Sequence, residues 1–563
     1  MADGRQRWRA EWGVLLAAAL LWLPVLDARD LWSPDEPRIA QIAEELRAGY
    51  AGPTSWILLH HDGVPYTQKP PLYYWLAAGL GAPDGRVSAW AARAPSAVAA
   101  LASLALTMSI ARRLFGPRYA AWSGLLLLTS FRFSDLAQRA QLDLLLTACE
   151  LGAWLAFILW RQEAWPPHRA LRAMHVALGA ALLAKGPVGL LPLIGAAALS
   201  ASERRAADLR SLFMPRLLLL SFGPLLLWSA AALTLAPPGF FEEAVVDNLL
   251  KRVGTGTSHI RPAYYYLYQL PLEFLPGALL LPWAIAAAWR SRRTNAPVRW
   301  GWSVLAWWVM SFLVLFSLSA GKRGIYMAPA LPGLAIGCAV VLVDGLSRAR
   351  RIPLGAGWAL AAAAIGLGAL GIWTSLAPDA LGAVPDTITI PAGFGRAVAV
   401  VMGSALLCAG FLWRRPPLVR AAICGGALIG LQACVFNLLY PALDPERSLR
   451  PVAEAALELA RPGERIGVVH HPSLIPGLTY YSGGTPGRYE DLPDHAAIRE
   501  FLREERGQVL ISEIRRQWAL EPAPFPTVSR FRSGNREIKL LAPRGRVGIG
   551  RHARPHKPAN AKP

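Results

Sequence analysis

"WGVLLAAALLWLPVLDARDLWSPDEPRIAQIAEEL", residues 12–46, changes character halfway along. Residues 12–26 are almost wholly apolar, and then Asp35, Glu36, Arg38, Glu44 and Glu45 crowd in behind them. With Arg5, Arg7 and Arg9 in front, the apolar run has the outline of a signal peptide. However, Leu23-Pro24-Val25-Leu26-Asp27 offers no small-residue cleavage site, so the run reads as a retained first membrane helix. The charged stretch then opens the loop that follows it.

Outward from this stretch the pattern repeats. Thirteen apolar runs read as membrane spans, at 11–27, 88–111, 119–132, 136–160, 170–184, 186–200, 214–236, 264–289, 300–319, 324–346, 354–376, 395–413 and 418–440. Of the 563 residues, 54% are hydrophobic and 17% charged, too apolar for a soluble chain of this length. The class is a polytopic α-helical membrane protein. The net charge of +21 would suggest nucleic acid in a soluble protein. Here the arginines fall in alternate links between spans, and no soluble basic domain with interleaved aromatics accompanies them, so no nucleic acid is expected as a partner. Arg112/Arg113/Arg118, Arg204/Arg205/Arg210 and Arg290/Arg292/Arg293 join Arg5/Arg7/Arg9 on one side, which the positive-inside rule makes cytoplasmic. The opposite side then holds a first loop at 28–87, a second at 237–263, and everything after 440. The five cysteines, Cys149, Cys338, Cys408, Cys424 and Cys434, lie in apolar runs without CxxC spacing, so neither disulfides nor thiolate metal sites are indicated.

The chain divides into a membrane domain at 1–440, a small α/β domain at 441–543, and a basic tail at 544–563 with the composition of disorder. In the second part "RSLRPVAEAALELARPG" reads as a helix, "RIGVV" and "QVLISE" as buried strands, and "RFRSGNREIKLL" as a hairpin turning at 533–535.

Chemistry gathers at the outer ends of the spans. Ser33-Pro34-Asp35-Glu36 has the form of a capping box, with Ser33 at N-cap, Pro34 at N1 and Glu36 at N3. Ile39, Ile42, Ala43 and Leu46 then form one stripe, expected to lie along the membrane surface. The cap gives Glu36 a structural task and leaves Asp35, beyond its dipole contribution, for chemistry. In "YTQKPPLYYWL" (66–76), Lys69 stands before a helix start, where an ammonium and free N–H groups suit a phosphate; it also fits an interfacial lysine. In "QRAQLDLLL", Arg139 and Asp143 stand at i, i+4, either a self-satisfied ion pair or a functional one. Lys185, Arg252, Lys322 and Arg323 occupy the same outer level. Two aspartates and several cations at one level suit a lipid-borne phosphate substrate.

In order, "DEPRIAQIAEEL", "YTQKPPLYYWL", "QRAQLDLLL", "LLAKGPVGLL", "SHIRPAYYYL" and "FSLSAGKRGIYMAPALPGLA" resemble the 4-amino-4-deoxy-L-arabinose transferases that modify lipid A. More broadly they resemble the protein O-mannosyltransferase clan with the GT-C fold, over residues 30–345. The resemblance implies an enzyme of the bacterial inner membrane with interfacial helices in its first periplasmic loop and a periplasmic active site. Its donor would be a polyprenyl-phosphate sugar, its acceptor lipid A or another envelope lipid or glycan, and membrane lipids its surroundings. Asp35 matches the family's first-loop catalytic aspartate, Arg38 the arginine of that motif, Lys69 the donor-phosphate lysine, Asp143 the second acidic position and Tyr326 the tyrosine after "GKR". Arg252, Lys322 and Arg323 would share the phosphate charge, with Lys185 and Arg139 in support. His259 matches a histidine that helps hold a divalent metal in relatives. Gln68, however, stands where the family has Glu and is the weaker ligand, so no metal is counted on as a cofactor. Three alternatives stay open: a protein O-glycosyltransferase of the same fold, a polymer or lipopolysaccharide-core glycosyltransferase of that fold, and a lipid-linked-sugar flippase. The flippase would place its charges at the membrane midplane.

Overall fold

The computed structural model describes residues 2–251, 260–347, 392–411, 416–513, 524–534 and 536–543. The expected span at 354–376 and the tail at 544–563 lie outside them. Helix α1 (Ala2–Trp22) is followed by the first loop, which holds α2 (Asp35–Ala48), a two-stranded hairpin β1/β2 (His60–His61 and Val64–Pro65) and α3 (Leu72–Gly81). Then come α4 (Ala89–Phe115), α5 (Ala120–Thr129), α6 (Phe131–Ala137), α7 (Leu142–Arg161), α8 (Pro167–Lys185), α9 (Leu191–Ser202), α10 (Ala206–Leu212) and α11 (Pro215–Leu235). Among the described residues, seven helical runs are long and apolar enough to cross a membrane, or eight counting one bent pair. The protein is multi-pass. Thirteen spans exceed this count. The third expected span is realised as only the ten residues of α5, and the fourth begins six residues late because α6 and a loop precede α7.

Small residues let the helices approach closely, as membrane packing requires. Gly179 of α8 lies against α11, where an added Cβ would stand 2.7 Å from the Leu220 carbonyl oxygen. Gly186, at φ +77°, ends α8. Gly189 then abuts the backbone of Ala181 and Leu182, although a straight helix would carry it about 12 Å beyond Ala181. The turn after α8 therefore folds back locally on the end of that helix, yet Pro167–Ser202 counts as one of the seven runs, where the sequence suggests two spans at 170–184 and 186–200. The expected span at 264–289 is not one helix. Tyr265–Glu273 and Gly277–Ser291 meet at 115°, with Pro271 and Pro276 at the break, where a missing N–H and a bulky ring disfavour a continuous helix.

The apolar stripe of α2 does not face lipid. Ile39, Ile42, Ala43 and Leu46 are buried with Tyr73, Tyr74, Ala91 and Ala92 of α3 and α4. The opposite face of α2 is covered too, by the helix Ile475–Tyr481 of the C-terminal module. The sequence stripe shows only one apolar face, so it carries no sign of the second cover. Tyr481 Oη spans the Leu31 backbone, donating to its carbonyl at 3.1 Å and accepting from its N–H at 2.7 Å. Asp444 accepts from the Trp32 indole at 2.7 Å and the Asp30 N–H at 3.0 Å. The module itself is a five-stranded mixed sheet in the order β4-β3-β5-β7-β6. Its strands are β3 (Ile466–Val469), β4 (Tyr489–Leu492), β5 (Val509–Glu513), β6 (Thr527–Ser533) and β7 (Arg536–Leu541). Strands β3 and β5 are buried at every position, as the sequence expects; β3 is wholly apolar, and β5 ends in the buried polar pair Ser512 and Glu513. The antiparallel β6/β7 hairpin turns where expected.

Candidate active site

Asp35 opens α2, but not through a capping box. Pro34 occupies the N-cap position without a side-chain bond, and Ser33 Oγ is buried with no partner among the described residues. The expected Ser33–Glu36 exchange fails because Glu36 is engaged elsewhere. Its carboxylate is 1% exposed and accepts from Arg29 Nη1 at 2.6 Å, Arg93 Nε at 2.8 Å, the Trp32 N–H at 3.0 Å and the Ala140 N–H at 3.1 Å. Arg93, fully buried in α4, also donates to the carbonyls of Leu26, Arg29 and Asp30. Burial would push the Glu36 carboxyl up, but the Arg29 and Arg93 guanidiniums hold it far below the usual carboxylate range. Glu36 thus ties the first loop, α4 and the 138–140 segment into one knot. Neither arginine was singled out from the sequence, where each is a lone arginine beside or within an apolar run.

The knot fixes its neighbour. Asp35 Oδ1 accepts from Arg38 Nη2 at 2.7 Å, and Oδ2 from Arg323 Nη2 at 3.0 Å and Gln141 Nε2 at 3.3 Å. With 13% of its side chain exposed, Asp35 is reachable, unlike Glu36. Burial pushes its carboxyl up, and Arg38 and Arg323 outweigh that, leaving it below its ordinary value. Residues 35, 38, 141 and 323 come from three distant segments. Gln141 escaped notice because a neutral amide just before a helix carries no signal. His61 escaped it too. Burial and the Arg38 charge hold its imidazole down to about 4, so it is neutral beside that charge. Its ring meets the edge of Tyr66 at 5.9 Å.

Asp143 begins α7 and pairs with Lys185 Nζ at 2.5 Å. The expected Arg139–Asp143 pair does not form. Arg139 precedes the helix start, so no helical i, i+4 register exists between them, and its Nε instead meets both Asp135 oxygens at 2.9 Å. Asp135 also takes the Tyr440 hydroxyl at 2.6 Å. Lys185 Nζ stands 5.2 Å from the centre of the Tyr326 ring. Tyr326 follows Gly324, where an added Cβ would lie 1.9 Å from Glu273 Oε1, so a side chain there would have to displace that carboxylate. Tyr266 Oη holds the Arg323 carbonyl at 3.1 Å. Asp35, Arg38, Arg323, Asp143, Lys185 and Tyr326 therefore belong to one assembly.

Lys322 does not join it. It is 4% exposed, and its ammonium donates to the carbonyls of Arg261 and Ser319, the latter closing the helix Ala296–Leu318. Orphan carbonyls at a helix end attract a lysine, which takes Lys322 away from the phosphate role expected of it. Lys69 is half-buried just before α3, and Gln68 beside it is exposed. Arg252 and His259 lie outside the described residues. Among those described, no three His, Cys, Asp or Glu side chains cluster as a metal site. Gln68 offers only a neutral amide, a weaker ligand for a divalent ion than a carboxylate, so no step below is routed through a metal.

Residues 68–228 match the family described as dolichyl-phosphate-mannose-protein mannosyltransferase. The chain is 32% identical over 344 residues to the undecaprenyl phosphate-alpha-4-amino-4-deoxy-L-arabinose arabinosyl transferase of Edwardsiella ictaluri. That alignment covers 58% of each chain, so the present chain spans less than two thirds of the relative's length. In structure it is similar to ArnT from Cupriavidus metallidurans bound to undecaprenyl phosphate, at TM-score 0.71 and 23% identity over 94% of this chain and 97% of that one. It is also similar to the archaeal oligosaccharyltransferase AglB from Archaeoglobus fulgidus, at TM-score 0.52 and 12% identity over 92% and 70%. The fold is GT-C, with a small C-terminal sheet module.

Proposed function

We propose that this chain is a glycosyltransferase of the bacterial inner membrane that moves 4-amino-4-deoxy-L-arabinose from a polyprenyl-phosphate donor to lipid A on the periplasmic side. Residues 441–543 would be a periplasmic domain, clasping the first loop from outside. The observation that carries the reading is Asp35, reachable and ionised between Arg38 and Arg323 on a scaffold similar to one that binds undecaprenyl phosphate.

In the proposed step, the bond from the anomeric carbon to the donor phosphate oxygen breaks and its electron pair stays with the phosphate. Preorganised cations around that leaving anion are the largest expected contribution. Arg38 and Arg323 are built in, and Lys69 and Arg252 are the further cations proposed for it. Lys185, held by Asp143 beside Tyr326, would line the sugar's side. An acceptor phosphate oxygen forms the new bond to the anomeric carbon.

The state of Asp35 bears on the acceptor. A carboxylate held below its ordinary value is a weak base. It suits an acceptor that needs no deprotonation, such as a lipid A phosphate, better than a protein hydroxyl. Asp35 then orients the acceptor or the sugar's ammonium instead of taking a proton. The flippase reading has less support, because the acidic and basic groups of this assembly sit at helix starts and turns.

The test is transfer by purified protein in nanodiscs, with a polyprenyl-phosphate aminoarabinose donor and lipid A, read by mass spectrometry of lipid A. No product from folded protein, with product on a hydroxyl-bearing peptide instead, would move the reading to protein glycosylation. A reporter active only in the periplasm, fused at Pro563, tests the orientation.

A further inference from the structure

We propose a second binding site, for the headgroup of a zwitterionic phospholipid carrying phosphoethanolamine, at the end of α7 remote from Asp35. A cavity of about 490 Å³ opens there, lined by Trp160, Arg161, Glu163, Trp165, Arg205 and Asp208 among others. Helix α7 is 20 residues long, about 30 Å, which is one hydrocarbon thickness. Asp143 begins it and Arg161 ends it, so the cavity lies at headgroup level of the leaflet opposite the candidate active site.

Arg161 is the built part. Its side chain is only 6% exposed. Nη2 donates to Glu203 at 2.5 Å, and Nε faces Asp208 at 3.3 Å. Nη1 is buried and has no hydrogen-bond partner among the described residues. A buried guanidinium N–H left open is costly, and a phosphate oxygen is the partner it suits best. The rings of Phe157 and Trp300, each centred 5.7 Å away, hold the guanidinium in place.

Charge chooses the headgroup. Arg205 Nε pairs with Asp208 at 2.8 Å, so two guanidiniums are offset by Asp208 and Glu203, and Glu163 adds an exposed carboxylate at the rim. An anion alone would meet the two carboxylates that line the cavity, Glu163 and Asp208. A zwitterion places its phosphate on Arg161 and its ammonium on Glu163, opposite charges at both ends. Trp160 and Trp165 are the side chains expected where a polar headgroup meets acyl chains.

The test is native mass spectrometry of the full chain exchanged from detergent into mixed lipids of identical acyl chains. Phosphatidylethanolamine should be retained over phosphatidylglycerol by about tenfold or more, the scale of one charge-assisted contact. Glu163→Gln, an exposed change that should leave folding intact, should bring that ratio toward one. Arg161→Lys, which keeps the charge but loses the fork, should lower retention of phosphatidylethanolamine. Equal retention of the two lipids by the unchanged protein, or a ratio unmoved in Glu163→Gln, would overturn the proposal. So would soluble O-phosphoethanolamine displacing the lipid at equal concentration, because the site would then serve a free metabolite.

Discussion

Arg323 reaches across 288 positions of sequence to place its Nη2 3.0 Å from Asp35 Oδ2. Together with Arg38 on the other oxygen, it makes the reachable carboxylate of the first loop a fixed negative charge.

Removing that charge should separate chemistry from folding. Asp35→Asn keeps shape and most hydrogen bonds. Transfer should fall by about 10²-fold, the scale of a lost positioning contact, while the melting temperature stays near that of the unchanged protein. Near-normal turnover by purified Asp35→Asn protein would reduce Asp35 to a helix-start residue.

The pH profile should report the Arg323 contact. Because the Asp35 value is lowered in the folded protein, its charge is present at neutral pH. It is lost only as pH falls through that lowered value. Arg323→Gln removes one of the two cations while the burial that pushes the value up remains. The acid limb of the transfer rate should therefore move to higher pH. An acid limb at the same pH in both proteins would show that another group sets it.

Glu36→Gln should be the damaging member of the acidic pair for stability. The amide leaves Arg29 and Arg93 buried without their counter-ion, a loss of about 3–5 kcal/mol. The capping box would have allowed glutamine at no great cost; the knot does not. Thermal unfolding in detergent checks this, and a melting temperature unchanged from that of the parent protein would contradict the structure.

Asp143 and Lys185 should behave as one unit. Each of Asp143→Asn and Lys185→Gln strands the other ion, so each should lower the melting temperature. The double variant should be less destabilised than the sum of the two, with a coupling of about 0.5–3 kcal/mol. Strict additivity would mean that the 2.5 Å contact contributes nothing.

Much of this was legible in sequence because it was local or periodic. Apolar runs mark each of the seven membrane-length helical runs among the described residues, though not their number, and the sequence reads β3 and β5 as buried strands. Asp35 was separated from Glu36 as the one for chemistry, and Arg38, Asp143, Lys185, Arg323 and Tyr326 were all named. What was not legible was partnership. Arg139 and Asp143 look like an i, i+4 pair, yet the helix begins between them, and helix boundaries are the least certain part of such a reading. Lys322 and Arg323 are adjacent and look equivalent, but one seals carbonyls while the other meets Asp35. Glu36 was given the right kind of task and the wrong partners, because Arg29 and Arg93 gain their meaning only when α4 packs against the loop.

The clasp that Asp444 and Tyr481 place on residues 30–32 has a consequence for the order in which the protein is made. Asp30 is synthesised 414 residues before the Asp444 carboxylate that secures it, which at ribosomal speed is a delay on the order of tens of seconds. Through that interval the loop bearing Asp35 lacks its outer cover, and Arg323 too has yet to arrive for most of the time. A ribosome that stops early therefore releases a membrane-inserted chain whose acidic loop is unsecured. Securing the loop that bears Asp35 is thereby left to residues made only after position 440.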